Sequence, residues 1–189
     1  GGYHAFNISD PKPRNIHKAS VRDRLLHHAI YRILYPYFDR KFISDSYSCR
    51  LNKGPHKALK KFKKLAGQAS QNHTKTLWVL KCDVRKFFAS IDQEILLRIL
   101  AKFIPDQDIM WLLGQVIGSF QSGVVIPAQA GILSNQNKIP GQVRNDNQRG
   151  MGLPLGNLTS QLLVNIYMNE FDQFVKHKLK AKYYIRYAD

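Results

Sequence analysis

Two segments of strand length, residues 77–84 and 183–189, most constrain the fold of this chain. The first reads Leu-Trp-Val-Leu-Lys-Cys-Asp-Val and the second Tyr-Tyr-Ile-Arg-Tyr-Ala-Asp, and both are rich in the aromatic and β-branched residues that favour strands. Each carries an aspartate at or near its end, Asp83 in one and Asp189 in the other. Because helical periodicity dominates the sequence between them, we predict an α+β fold in which a βα…αβ arrangement brings the two carboxylates together.

Helical periodicity marks five stretches of the sequence. Ser20 and Ser90 each begin a stretch that resembles a capping box, and Pro36 should bend or end the first helix. Residues 1–19 contain two prolines and little periodicity, which predicts strand and loop. The predicted helices begin at Ser20, Pro55, Ser90, Pro105 and Asn157, and the second of them ends near Ala66.

Residues 122–149 differ from the rest of the chain. No Phe, Trp or Tyr occurs between Gln121 and Ile166, and Gly, Pro, Asn and Gln are frequent. The sequence Ile-Pro-Ala-Gln at 126–129 is echoed by Ile-Pro-Gly-Gln at 139–142. We therefore predict an irregular insertion without a functional role, either the translation of a dispersed genomic repeat or a flexible loop native to the fold.

The charge balance indicates a polyanionic partner. Lys and Arg number 29 against 13 Asp and Glu, a formal net charge of +16. No stretch reaches the roughly 18 apolar residues of a membrane span, and the two cysteines form no metal motif, so we expect a cytoplasmic protein that binds nucleic acid and no membrane. A basic structural protein of a ribonucleoprotein fits the same charge. The lysines predicted to contact nucleic acid are Lys53, Lys57, Lys60, Lys61 and Lys64.

Three motifs resemble those of bacterial reverse transcriptases. Residues 80–92 contain an aspartate followed five positions later by an aromatic residue, as in the family's first catalytic motif. Residues 152–170, which begin Gly-Leu-Pro-Leu-Gly-Asn, resemble the second motif, and Tyr-Ala-Asp at 187–189 resembles the start of the Tyr-x-Asp-Asp turn. The resemblance implies RNA-templated DNA synthesis by the fingers and palm of a right-hand polymerase, with a split ββαβ palm similar to an RNA-recognition motif.

The resemblance also implies a division of the chain. Residues 1–76 would be fingers and residues 77–104 the first part of the palm. Residues 105–151, with the insertion 122–149, would continue the fingers, and residues 152–189 would complete a palm without a thumb. The implied partners are template RNA, a DNA primer, deoxynucleoside triphosphates and a small basic accessory protein.

Site residues follow from the matched motifs. Asp83 and Asp189 match the catalytic aspartates that hold two Mg²⁺ ions, with Mn²⁺ as a substitute, about 3.5–4 Å apart. Val84 is the third residue of the implied metal set. Phe88 matches the aromatic residue that packs under the sugar and rejects a 2′-hydroxyl. The residues implied to bind the nucleotide are Lys12, Arg14, Arg85, Lys86, Phe87, Phe88, Pro154, Leu155, Gly156 and Gln161.

Two departures from the family's usual motifs bear on the subfamily and on the activity of this chain. Leu155 stands where most of the family has glutamine in Pro-Gln-Gly, which resembles the error-prone enzymes of diversity-generating retroelements; retron, group II intron and defence-associated enzymes are the alternatives. The chain stops at the first aspartate of the third motif, so we expect a truncated polymerase with little or no activity of its own. A non-catalytic RNA-binding remnant is the rival reading.

Overall fold

The computed structural model describes residues 3–9, 13–120 and 150–188. These residues form two compact units. The first unit comprises Gly1–Phe87 together with Pro154–Asp189, and the second comprises Phe88–Leu153. The predicted insertion, residues 122–149, lies outside the described residues. In the described ranges no helix combines the length and hydropathy that crossing a membrane requires.

The first unit begins with an antiparallel hairpin of β1 (Tyr3–Ser9) and β2 (Pro13–Ala19). Its register pairs Tyr3 with Ala19 at one end and Ser9 with Pro13 at the other. Most of its residues are exposed, and Ala19 is the one that is fully buried among those described. A two-stranded hairpin is only marginally stable alone, so contacts from the base of β2 must hold it to the rest of the unit.

Helix α1 (Val21–Asp39) starts directly after Ser20, as the sequence predicts, and continues past Pro36. The Ser20 hydroxyl accepts a hydrogen bond from the backbone N–H of Asp23 at 3.2 Å, which confirms the predicted N-cap. Pro36 lies inside the helix and does not end it, so of the two predicted effects only a bend at Pro36 stays a prediction. Proline removes one helical hydrogen bond, but Phe38 beyond it is 1% exposed. We attribute the helix's continuation to the burial of this last turn.

Helix α2 (Pro55–Ala69) confirms the second predicted helix. Its first residue is proline, which needs no intrahelical donor at that position, and the preceding Gly54 has φ +111°. Ala58 is the one residue of this helix that is fully buried. The helix therefore lies on the surface of the first unit and exposes most of its lysines.

Residues 77–84 do not form the predicted strand. Trp78 and Leu80 are 91% and 89% exposed, and no described residue pairs with this segment. A strand must satisfy its backbone groups through neighbouring strands, so apolar composition alone does not produce one. Within the described part of the second predicted strand, residues 183–188, strand pairing is reduced to a single parallel bridge between Arg186 and Ser46.

The second unit contains α4 (Gln93–Ala101) and α5 (Gln107–Gly118), preceded by the short α3 (Phe87–Ser90), whose first residue belongs to the first unit. The predicted N-cap at Ser90 is wrong, because the carboxylate of Asp92 accepts hydrogen bonds from the first turn of α4, at 2.9 and 3.0 Å. Asp106 caps α5 in the same way, at 2.9 Å, which confirms a helix starting next to Pro105.

A buried glutamine, Gln93, links the start of α4 to two distant parts of the second unit. The side-chain amide of Gln93 donates to the carbonyl oxygens of Phe120 at 2.7 Å and Gly152 at 2.9 Å. Nearby, Asp92 forms an antiparallel bridge with Met151. Phe120 and Gly152 are therefore anchored to the same helix start.

Helix α6 (Leu158–Gln173) follows the predicted start at Asn157 and continues into a π-helical turn (Phe174–Lys178). It contributes more buried residues to the first unit than any other described helix, with Leu162, Leu163 and Ile166 each at most 3% exposed. His27 of α1 shares a 2.6 Å hydrogen bond with the hydroxyl of Thr159 on α6. The core of the first unit therefore lies between the first and last long helices of the chain.

Candidate active site

The hairpin meets the second motif through one backbone hydrogen bond and one hydrogen bond from a side chain. The N–H of His17 in β2 donates to the carbonyl of Leu155 at 2.9 Å, and the side-chain amide of Asn157 donates to the carbonyl of His17 at 3.0 Å. These partners are 140 residues apart in the second case. The structure thus brings together two groups that the sequence assigns to nucleotide binding, the hairpin with Arg14 and the segment with Leu155.

Gly156 makes this junction possible. Its φ is +105°, which L side chains rarely adopt, and a Cβ at this position would lie 2.8 Å from Cγ2 of Ile16 in β2. Both the backbone conformation and the close approach therefore require glycine. The glycine of the Pro-Leu-Gly motif has a structural role here, whatever it contacts in a nucleotide complex.

The remaining predicted nucleotide-binding residues of the second motif differ in exposure. Pro154 is buried, Leu155 and Gln161 are half-buried, and Gly156 is exposed. Gln161 lies in the first turn of α6, where its N–H donates to the carbonyl of Asn157 at 3.3 Å. Leu155, Gly156 and Gln161 therefore keep surface that a ligand could contact, whereas Pro154 packs inside the first unit.

The first-motif residues lie on an exposed part of the chain. Asp83, Val84, Arg85 and Lys86 are all exposed, and Lys86 has a left-handed φ of +52°. Among the residues that the structure describes, no ion pair or hydrogen bond engages the Asp83 carboxylate. This carboxylate is therefore accessible to a cation.

Two phenylalanines end this segment differently. Phe87 is 7% exposed, and its ring packs edge-to-face on Tyr167 of α6 with centroids 6.4 Å apart. Phe88 belongs to the second unit, where it is half-buried and its carbonyl accepts a hydrogen bond from Leu153 N–H at 2.7 Å. Phe87 is thus a core residue in the first unit, and its predicted contact with the nucleotide is confined to its backbone.

Asp189 and Lys12 lie outside the described residues, so their predicted roles stay predictions. Arg14 is exposed on β2. In the described part of the chain, no cluster of three or more His, Cys, Asp or Glu side chains is arranged to hold a metal ion. The predicted pairing of Asp83 with Asp189 is therefore a prediction as well.

A buried ion pair anchors the segment that leads to Asp189. Arg186 is 4% exposed and Asp172 of α6 is 0% exposed. Nε of Arg186 donates to the Asp172 carboxylate at 2.9 and 3.0 Å, and Nη2 donates to it at 2.9 Å. Nη2 also donates to the Ser46 hydroxyl at 3.0 Å and to the Asn165 side-chain oxygen at 3.2 Å. This bidentate arrangement suits the fork geometry of a guanidinium group.

Sequence reasoning missed this pair. Two signals were available: an arginine in the middle of an otherwise aromatic and aliphatic run, and an aspartate at a buried position of an apolar helix. Charged residues are almost never fully buried unless they are paired. Each therefore needed a partner of opposite charge, although the sequence does not say which one.

The backbone around Arg186 is held as firmly as its side chain. Its N–H donates to the carbonyl of Asp45 at 2.9 Å, and its carbonyl accepts from the N–H of Tyr47 at 3.0 Å. Two residues later, Ala188 has φ +69°, a left-handed conformation that costs a non-glycine residue about 1–2 kcal/mol. Nη1 of Arg186 donates to the carbonyl oxygen of Ala188. A strained turn thus directly precedes Asp189.

Tyr184 adds a third donor to the buried carboxylate. Its hydroxyl donates to Oδ1 of Asp172 at 2.7 Å. Burial raises the pKa of Tyr184, and the hydrogen bond to Asp172 together with its negative charge raises it further. The phenol therefore stays protonated and remains a donor throughout the physiological pH range.

The basic surface is only partly available for ligands. Lys61 and Lys176 both pair with the buried carboxylate of Asp45, at 2.9 and 3.4 Å. Lys53 donates to the carbonyl of Ser44 and Lys57 to that of Asn52, each at 2.7 Å. The hydrogen bond to Asp45 raises the pKa of Lys61, whereas burial lowers that of Lys53. Of the lysines predicted to contact nucleic acid, Lys60 and Lys64 are exposed without a partner among the described residues.

Comparison with known proteins identifies the family. Residues 9–189 match the family model described as reverse transcriptase (RNA-dependent DNA polymerase). Protein YkfC of Escherichia coli (strain K12) is 25% identical over 172 residues, which are 90% of this chain and 39% of that protein. Group II intron-encoded protein LtrA of Lactococcus lactis subsp. cremoris is 28% identical over 172 residues, 91% of this chain and 24% of that protein.

A third relative, Nuclear intron maturase 1, mitochondrial, of Arabidopsis thaliana, is 26% identical over 92 residues, 49% of this chain and 12% of that protein. The chain therefore spans well under half the length of these relatives. Since the family model matches residues 9–189, almost the whole sequence, this chain belongs to the reverse transcriptase family.

Proposed function

We propose that this chain carries the nucleotide-binding and catalytic part of a polymerase that copies RNA into DNA. The observation that carries the proposal is the junction of the hairpin with the second motif, His17 to Leu155 at 2.9 Å with Gly156 against Ile16. This junction brings the strand that carries Arg14 next to Leu155 and Gly156, which the sequence assigns to the same nucleotide site. Family membership supports the reaction: DNA synthesis from deoxynucleoside triphosphates, a DNA primer and an RNA template.

Asp83 and Asp189 would hold two Mg²⁺ ions, with the carbonyl oxygen of Val84 as a further ligand. Carboxylate and carbonyl oxygens are the hard donors that Mg²⁺ prefers, and Mn²⁺ takes the same donors. The accessible carboxylate of Asp83 fits this assignment. When bound, such ions lower the pKa of an attacking hydroxyl and neutralise phosphate charge.

The chain's other residues bind and orient the substrate. Arg14 on β2 neutralises the triphosphate together with Lys12, and the backbone N–H groups of residues 84–87 donate to its oxygens. The left-handed φ of Lys86, +52°, is compatible with the concave backbone that such a cradle needs. Phe88 excludes a ribose 2′-hydroxyl by steric contact. The division into fingers and a split ββαβ palm belongs to this proposal too.

Two observations bear on the subfamily. Leu155 replaces the usual glutamine, which favours an error-prone enzyme of the diversity-generating type. Similarity to the group II intron-encoded protein LtrA favours an intron-type enzyme. Sequencing of the DNA products separates them: frequent errors opposite template adenines support the first assignment, and accurate copying supports the second.

Primer extension tests the proposal. A form of the chain that continues past Asp189 with a second aspartate and the following part of a reverse transcriptase domain should extend a DNA primer on an RNA template with Mg²⁺. Asp83→Asn should abolish extension and leave RNA binding unchanged. Asp108→Asn, an exposed aspartate on α5, is the matched control and should retain activity. RNA binding without extension in either Mg²⁺ or Mn²⁺ would instead favour the non-catalytic remnant.

RNA binding can be assigned to α2 by comparing lysines on the same helix. Lys60→Ala and Lys64→Ala should each weaken RNA binding and lower the salt-dependence slope by about one. Lys57→Ala is the matched control, because Lys57 already donates to the carbonyl of Asn52 at 2.7 Å. Equal effects at all positions would show that α2 contributes only general positive charge.

A further inference from the structure

A cleft of about 440 Å³ lies at the C-terminal end of α2, within the first unit. One wall is the end of the helix with the turn that follows it, and the other is the segment just after the π-helical turn. Its volume falls within the roughly 300–1,000 Å³ of small-molecule sites, but its lining is polar, which suits a polar ligand. The lining residues are Gly67, Gln68, Gln71, Asn72, Lys182 and Tyr183.

An unusual turn forms the first wall. Gln71, Asn72 and His73 are consecutive residues with left-handed φ angles of +50°, +56° and +67°. Ser70, which is 2% exposed, holds this turn: its hydroxyl donates to the carbonyl of Ala66 at 2.8 Å and accepts from the N–H of His73 at 3.0 Å. The turn places Gln71 and Asn72 along the cleft at a cost in conformational energy, and such costs are concentrated at binding sites.

The opposite wall presents an aromatic ring beside a positive charge. Tyr183 is 44% exposed, and Nζ of Lys182 lies 5.4 Å from the centroid of its ring. The next residue, Tyr184, fixes this wall to the core, because its hydroxyl donates to the buried carboxylate of Asp172 at 2.7 Å. The ring of Tyr183 is therefore accessible while the backbone next to it is held in place.

The polar groups of the cleft are available to a ligand. Among the residues that the structure describes, none forms a hydrogen bond with the side-chain amides of Gln68, Gln71 and Asn72 or with the phenol of Tyr183. An amide offers a donor beside an acceptor, which the edge of a nucleobase matches, whereas a phosphate offers acceptors only. The C-terminal end of a helix also carries partial negative charge, which disfavours a phosphate inside the cleft.

The exposed lysines of α2 lead to this cleft. Lys60, Lys64 and Gln68 are spaced by four residues, so they follow one another along one face of the helix, about 6 Å apart. All three are exposed. An RNA strand whose phosphates contact Lys60 and Lys64 therefore has its next nucleotides at the cleft.

We propose that this cleft is a base subsite, a place for one unpaired base of a bound RNA strand. The base stacks on Tyr183, and Lys182 neutralises the adjoining phosphate. The edge of the base forms hydrogen bonds with the amides of Gln68, Gln71 and Asn72. Proteins recognise single-stranded RNA by this combination of stacking and hydrogen bonding to base edges. The base subsite rests on the proposed function, in which RNA is the polyanion that the chain binds.

Fluorescence anisotropy of the 189-residue chain with two labelled strands tests the proposal. One strand is single-stranded oligoadenylate, because adenine presents a donor beside an acceptor to a carboxamide. The other is an abasic strand with the same number of phosphates, and the parent chain should bind it more weakly. Tyr183→Leu should weaken oligoadenylate binding at least about fivefold and change the affinity for the abasic strand by less than about twofold, because base stacking is lost and phosphate contacts remain.

A second variant and two controls accompany this substitution, each checked for folding by circular dichroism. Gln68→Met keeps the length of the side chain and its helix propensity but removes the amide, so it should also weaken oligoadenylate selectively. Phe62→Leu removes a ring of α2 that is 42% exposed and does not line the cleft. Gln115→Met changes an exposed glutamine of α5. Both controls should bind both strands as the parent chain does.

The outcomes separate the base subsite from the proposed function. If Tyr183→Leu and Gln68→Met weaken binding of both strands equally, the cleft does not read a base and the proposal is overturned. If neither variant changes oligoadenylate binding while Lys64→Ala weakens it, the base subsite is overturned and RNA binding by α2 stands. If the parent chain binds neither strand, the RNA-binding part of the proposed function fails and the base subsite fails with it.

Discussion

The two segments that lead to the proposed metal ligands are held in opposite ways. Residues 77–86 before and around Asp83 are exposed and pair with no described strand, and their largest side chain, Trp78, is 91% exposed. The segment before Asp189 is anchored by backbone hydrogen bonds to Asp45 and Tyr47 and by the buried guanidinium of Arg186. The comparison teaches that one buried charge with full hydrogen bonding holds a segment more firmly than a run of apolar side chains without a partner.

Removing the anchor should have the largest effect. Arg186→Ala leaves the Asp172 carboxylate, 0% exposed, without its cation, and breaking one half of a buried pair costs about 3–5 kcal/mol. Urea denaturation followed by circular dichroism should show a loss of that size in the free energy of unfolding. The matched control is Arg85→Ala, an exposed arginine of the other segment, which should stay within about 0.5 kcal/mol. Equal losses would remove the distinction between the two segments.

The junction between the hairpin and the second motif gives the next largest effect. Gly156→Ala must adopt φ +105° and place a Cβ 2.8 Å from Ile16, so we expect a loss of about 1–3 kcal/mol in the free energy of unfolding. Gly67→Ala is the matched control in the same unit. Its nearest neighbour would be Asn72 Oδ1 at 4.0 Å, and alanine in a helix should stabilise it by up to about 1 kcal/mol. If Gly67→Ala were destabilising as well, the loss at Gly156 could not be assigned to its backbone conformation and its contact with Ile16.

The sequence predicted what depends on neighbours along the chain. Ser20 caps α1 because its hydroxyl reaches a donor three residues away, and the basic α2 follows from its own periodicity. It failed where the deciding partner is distant. Nothing local shows that Gly156 lies against Ile16, or that Arg186 pairs with Asp172.

The prediction of a strand at residues 77–84 failed for the same physical reason. The segment around Trp78 has the composition of a strand, but a strand exists only when another chain segment satisfies its backbone N–H and C=O groups. The motifs identified the family, because they preserve residue types and spacing without requiring that geometry. Prediction of strands from composition and recognition of family motifs therefore succeed and fail independently.

A smaller effect concerns the contact between α1 and α6, the helix that carries Asp172. Burial lowers the pKa of His27, Asp23 raises it and His28 lowers it, with burial the largest cause. The folded chain therefore binds this proton less tightly than the unfolded chain, whose histidine has a pKa of about 6.5. Stability from this group is complete above that pH and is lost as the pH falls below it.

Thermal melts at pH 8 and below pH 6 should show this loss. His27→Gln should reduce the pH dependence, whereas His28→Gln, an exposed neighbour on the same helix, should retain it. Burial also lowers the pKa of His17, so both variants should keep part of the dependence of stability on pH. An unchanged slope in His27→Gln would show that the 2.6 Å contact with Thr159 is not linked to protonation.

The smallest expected change in stability is the most direct test of how differently the two segments are held. Trp78→Ala deletes the largest side chain of its segment, yet at 91% exposure it should change the free energy of unfolding by no more than about 0.5 kcal/mol. Tyr184→Phe deletes one hydroxyl from the anchored segment and should cost about 1.5–3 kcal/mol, because that hydroxyl donates to a buried carboxylate at 2.7 Å. If the tryptophan substitution costs more than the loss of the hydroxyl, Trp78 is packed in solution. The segment around Asp83 would then be held by apolar contacts, as a strand of a palm would be.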